Sequence, residues 1–122
     1  MKKRLVDVSK LVYDRDLTHF YHAYNRRYFK RRMLPNIEVY YGPLPAPHGK
    51  FKYGVTGFSD RGKPIYITLN KKIRNLGEDI VHITLLHEMV HASLPFRVKH
   101  GPKFKKEIRR LLLAGAFDEH LG

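Results

Sequence analysis

The chain has 122 residues, 43% of them hydrophobic, which suits one domain with a core of its own. It contains no cysteine, so disulfides, thiol nucleophiles and Cys-ligated zinc ribbons are excluded, and any metal ion must be held by histidines and carboxylates. Lysine and arginine number 24 against 11 aspartates and glutamates, and the formal net charge of +13 attracts polyanions, nucleic acid first among them.

The start, Met1-Lys2-Lys3-Arg4, is basic like that of a signal peptide, but Asp7, Ser9, Lys10 and Asp14 break the apolar run that would have to follow. It reads as mature sequence. No apolar run approaches the roughly 18 residues of a membrane span. A cytoplasmic, monomeric, single-domain protein over 1–122 with no membrane partner is the expectation.

Periodicity predicts a first helix over about 14–33. Leu17, Phe20, Tyr21, Tyr24 and Tyr28 form its apolar stripe, and Arg15, His19, His22, Arg26 and Lys30 fall on the other face. His19 and His22 have metal-ligand spacing, but they lie among cations and read as exposed. Leu34-Pro35 closes the helix, and alternation at Ile37, Val39 and Tyr41 predicts a half-buried strand. Residues 42–49, rich in proline and glycine, form a loop that carries His48. Residues 51–58 and 64–69 flank Ser59-Asp60-Arg61-Gly62-Lys63 and predict a β-hairpin, in which Tyr53 reads as a packing residue and His48 before it as a surface residue. The hairpin edge is placed to align an extended substrate by strand addition. Strands following one helix and preceding another give a small α+β domain with a short antiparallel sheet.

Glu78-Asp79 marks the start of a helix over 78–94, stopped by Pro95. Ile80, Ile83, His87, Val90, His91 and Leu94 share one broad side of it, and His82 lies well round from them. Within this helix stands His87-Glu88-Met89-Val90-His91. Histidines four residues apart are about 40° apart around a helix and about 6 Å apart along it, so both imidazoles can reach one ion. Glu88 has the place of a metalloprotease general base. An ordinary core helix that carries two histidines is the competing interpretation of these five residues alone. After a short connection comes His100, then Pro102 at the first position of a last helix. Phe104, Ile108, Leu111 and Gly115 make that helix's inner stripe, and Lys103, Lys105, Lys106, Arg109 and Arg110 cover its outside. A catalytic zinc takes three protein ligands and keeps an open position, and His100 is the best-placed third donor beside His87 and His91.

Tyr24-Asn25-Arg26-Arg27-Tyr28-Phe29 with Leu34-Pro35, Ile67-Thr68-Leu69-Asn70, Leu85-Leu86-His87-Glu88-Met89-Val90-His91-Ala92 and His100-Gly101-Pro102-Lys103-Phe104 follow one another in an order that resembles the SprT-like metalloprotease family. The likeness runs over about 17–113, and the last two segments together are far more specific than the five-residue zinc pattern. It covers the catalytic core alone, without the Cys-rich zinc ribbon that many relatives carry. The resemblance implies a zincin-like domain holding Zn2+ at His87, His91 and His100, with Glu88 as base, and an endopeptidase acting on proteins bound or crosslinked to DNA. Arg15, Arg26, Lys30, Lys103, Lys106, Arg109 and Arg110 would then meet the DNA, single-stranded or duplex. The alternative is a DNA-binding module whose zinc only stabilises the fold, which would need a fourth protein ligand.

Overall fold

The computed structural model describes residues 8–30, 33 and 35–118. The basic start at Met1 to Arg4 and the Leu34 half of the Leu34-Pro35 helix stop lie outside them. The strands are β1 (Val12–Tyr13), β2 (Glu38–Gly42), β3 (Gly54–Phe58) and β4 (Pro64–Asn70), and the helices are α1 (Arg15–Tyr28), α2 (Glu78–Ser93) and α3 (Pro102–Leu113). This is the α+β domain that the patterning predicts.

Helix α1 is started by Asp14, whose side chain accepts from the Leu17 N–H at 2.8 Å. It ends five residues before the predicted limit. Phe29 caps it, Lys30 turns into the left-handed region at φ 52°, and the buried Asn25 side chain takes over the Met33 backbone on both sides. Asn25 Nδ2 donates to the Met33 carbonyl at 3.2 Å, and the Met33 N–H donates to Asn25 Oδ1 at 3.1 Å. One buried amide thus reverses the chain and satisfies both of its own polar atoms.

The sheet order is β1-β2-β4-β3. The hairpin β3–β4 is antiparallel as predicted, with an irregularity at Gly57/Phe58, but β2 and β4 run parallel, so the sheet is mixed rather than antiparallel throughout. Alternating strand residues do not encode the direction of the neighbour, and the long connection through β3 is what allows the parallel pairing. Ile67 and Leu69 of β4 are fully buried beside Val39 and Tyr41 of β2, their register partners. As the outermost strand, β3 leaves one edge unpaired among the described elements.

Helix α2 packs on β3, β4, α1 and α3. Gly77 precedes it without a side-chain cap. Leu85, Leu86, Met89 and Val90 are all completely buried, at about 1.5–3 kcal/mol each, against roughly 1 kcal/mol for a capping side chain. Burial therefore holds this helix in place. Its buried side runs from Val81, Leu85, Met89 and Ala92 round to Leu86 and Val90, whereas Ile80, Ile83 and Leu94 of the predicted stripe are only partly covered. The helix is apolar on both sides, so the predicted stripe, which bears the histidines, overlaps the core-facing side only at its edge, through Val90. Among the described residues no helix is long and apolar enough to cross a membrane.

Candidate metal centre

Two turns of α2 and one turn after it build the site. His87 and His91 lie one helical turn apart near the C-terminal end of α2, half-buried. Beyond Leu94 the chain makes a short 3-10 turn over Phe96–Val98, Lys99 enters the left-handed region at φ 51°, and His100 is carried back over the helix end. Gly101 closes this turn, its N–H donating to the Val98 carbonyl at 3.0 Å. A Cβ at Gly101 would sit 3.1 Å from that same carbonyl, so the tight return favours glycine.

The three histidines converge. His91 Nε2 is 3.0 Å from His100 Nε2, and His100 Nε2 is 3.3 Å from His87 Nε2. All three donor atoms lie within 4.8 Å of one another. Nitrogens bound tetrahedrally at about 2.0–2.1 Å from a zinc ion are roughly 3.3 Å apart, so the observed spacing fits one small cation. Below them lies Phe104 of α3, 5% exposed, with its ring centroid 4.9 Å from His87, 4.5 Å from His91 and 4.9 Å from His100. One aromatic ring thus orients all three imidazoles and removes water from behind them.

Burial lowers the His91 imidazole to about 4, with His87, His100 and Lys52 adding to the effect. Burial first, then His100, also lowers His87. Both rings are therefore neutral at physiological pH, the state in which an imidazole offers its lone pair to a metal.

Glu88, one residue after His87, faces the hairpin and is 5% exposed. Burial pushes its carboxyl up from 4.5 to about 7, while the Thr56 hydroxyl and Lys52 pull it part of the way back. The Thr56 hydroxyl lies 2.9 Å from Glu88 Oε1 and 3.0 Å from the Glu88 carbonyl oxygen. Gly54 completes the niche. A Cβ there would lie 3.0 Å from Glu88 Cγ and 3.1 Å from Thr84 Cγ2. Such contacts are closer than a side chain tolerates without displacing its neighbour. A carboxyl near 7, held by one hydroxyl and set one residue along the helix from His87, can take up and release a proton at neutral pH.

A sequence model of the SprT-like family matches residues 17–115. The chain belongs to the SprT-like family. The match supports a metallopeptidase-like domain and takes in all four segments that the resemblance rests on. No curated protein and no solved structure matches this member.

The other sequence candidates fall elsewhere. His48 is exposed in its loop at φ 57° and stands outside the histidine group, as do His19, exposed on α1, and His22, which is half-buried there and not exposed as expected. His82 is engaged by Tyr24, whose hydroxyl lies 2.7 Å from His82 Nδ1. Tyr53, expected to pack, is instead 50% exposed. Arg15 and Arg26 are exposed on α1 and Lys103, Lys106 and Arg109 on α3, whereas Lys30 is exposed in the left-handed turn after α1 and not on the helix face where periodicity put it. Arg110 is drawn inward: it pairs with Glu107, and its guanidinium sits 5.7 Å from the Phe29 ring centroid. Sequence reasoning missed Thr56 and Gly54. Neither belongs to a motif, and the only signal was their position in the hairpin before α2.

Proposed function

We propose that this SprT-like protein is a zinc-dependent endopeptidase that cleaves proteins bound or crosslinked to DNA. The observation that carries the reading is the buried Glu88 carboxyl set one residue from a converging triad of imidazoles. His87, His91 and His100 would hold the metal. Among the described residues the donor group has these three members, which matches an open, catalytic site better than a closed, structural one. Bound there, zinc supplies a Lewis acid that acidifies water and polarises a carbonyl.

The protein's own groups do the rest. Glu88 accepts the proton of the attacking water and passes it to the leaving amine, and the Thr56 hydroxyl keeps the carboxylate aimed for both transfers. The edge of β3, which carries Thr56 and is left unpaired among the described elements, would take an extended substrate as a further strand and bring its scissile bond alongside Glu88. The charge of +13, with Arg15 and Arg26 on α1, Lys30 in the turn after it and Lys103, Lys106 and Arg109 on α3, supports DNA as the scaffold that presents the substrate.

Glu88→Gln is the test. Metal content and DNA binding are expected to persist while cleavage of a DNA-bound protein disappears, and full activity in this variant would reject the mechanism. The metal-free protein offers an independent readout of the same carboxyl. Below about pH 4.5 it is protonated in folded and unfolded chains alike; between 4.5 and 7 only the folded state keeps the proton, so stability falls as pH rises. Above pH 7 the metal-free Glu88→Gln protein is therefore expected to be the more stable one by up to about 3 kcal/mol, and this gain vanishes below pH 4.5. Thermal melts at the two pH values check it.

A further inference from the structure

The stretch leading into β3 is Lys50-Phe51-Lys52-Tyr53, in which two cations alternate with two aromatic rings. The rings are 43% and 50% exposed. Their centroids are 5.0 Å apart and their planes cross at 86°, so they make one edge-to-face patch. The backbone beneath them is fixed by the buried Asn70. Its Nδ2 donates to the Lys52 carbonyl at 2.8 Å and its N–H to the Tyr53 carbonyl at 2.8 Å, while its Oδ1 accepts from the Lys72 N–H at 3.0 Å. One residue therefore positions the ring pair next to the exposed Lys71 and Lys72, with the exposed Lys50 on the near side. The stretch continues directly into Gly54, which abuts Glu88, so this patch borders the candidate metal centre.

We propose that Phe51 and Tyr53 form a stacking platform for unpaired bases of single-stranded DNA, with Lys50, Lys71 and Lys72 meeting its phosphates. In a duplex the base faces are hidden in the stack, and only an unpaired base can lay a face on an aromatic side chain, at about 1–3 kcal/mol per base. The interleaved lysines suit the phosphate backbone that links such bases, whereas an apolar peptide would use the rings and leave the cations without a role. A backbone already pinned by Asn70 spares the ordering cost of assembling the platform on binding. Single-strand stacking at this position would hold unpaired DNA, and a protein attached to it, within reach of Glu88. The inference rests on the DNA part of the proposed function.

Anisotropy of a labelled oligothymidine and of a duplex of equal length tests it, on the metal-loaded protein across a salt series. Phe51→Ala combined with Tyr53→Ala is expected to weaken single-strand binding roughly 10- to 100-fold and to leave duplex affinity, salt slope and metal content unchanged. The exchanged pair Phe51→Tyr with Tyr53→Phe keeps both ring faces and is expected to bind like the parent. Unchanged single-strand affinity in the alanine variant, or an equal loss on duplex, would overturn the platform. So would intact DNA binding with lost cleavage of an unstructured peptide, which would assign the rings to the peptide. A parent protein that binds neither form of DNA would reject the DNA reading of the function itself, whereas a parent that binds both alongside an unaffected alanine variant removes the platform alone.

Discussion

Both halves of α2 carry histidine, and only one half gathers a metal-binding group. Toward the N-terminal end, His82 faces a cleft lined also by Asp14, Asp16, His19 and Glu78, a richer supply of ligand atoms than surrounds His87 and His91. Those atoms are spoken for or spread apart: Asp14 caps α1, and His82 meets the Tyr24 hydroxyl and the Phe20 ring, 4.5 Å between centroids. Toward the C-terminal end there are fewer donors, but a loop returns a third one and Phe104 turns all three rings to a common point. Convergence of lone pairs, and not the local count of histidines and carboxylates, distinguishes the two ends.

The comparison breaks most sharply through His91→Ala. Removing one of three ligands is expected to lower metal affinity by more than about 100-fold, given that loss of a residue merely supporting a ligand costs 10- to 100-fold. Metal analysis after dialysis reads this directly, and stoichiometric metal in the variant would dissolve the distinction between the halves.

Thr56→Val sharpens it at the level of chemistry. The substitution keeps the shape and deletes the hydroxyl beside Glu88 Oε1, an interaction of about 1.5–3 kcal/mol when the acceptor is charged. A fall in kcat of roughly 10- to 100-fold is expected with metal content and KM little changed. Because the hydroxyl holds the carboxyl down, its removal should also move the acidic limb of the rate profile to higher pH. A change in KM alone would mean that Thr56 touches substrate and does not position the base.

The smallest effect belongs to His82→Ala. Losing the Tyr24 hydrogen bond and the Phe20 contact is expected to cost about 1 kcal/mol, a few degrees in Tm, with metal content and kcat unaltered. Loss of metal from this variant would show the N-terminal half to be part of the site.

Helix spacing and segment order made much of this readable in advance. Two histidines at i and i+4 must share a helix face, and a histidine before Pro102 must arrive near that helix end if the connection is short, so His87, His91 and His100 were legible as a set. The α+β class was legible because strand alternation and helical periodicity differ in period. The end of α1 was not, since it depends on Asn25 capturing Met33 from eight residues away.

What the sequence determined by itself is therefore what local periodicity and spacing encode: the elements, the histidine trio and the position of Glu88 next to it. The tertiary structure alone decided which side of α2 meets the core, that β2 pairs parallel to β4, that Arg110 turns inward onto Glu107 and Phe29, and that Phe51 and Tyr53 stay open. It also decided how Glu88 is tuned. Thr56 and Gly54 stand more than thirty residues before the glutamate, and only the folding of the hairpin onto α2 brings a hydroxyl to its oxygen and a bare backbone to its side chain. The burial that pushes the carboxyl up to about 7 is a sum over neighbours from several elements, a quantity no single stretch of chain contains.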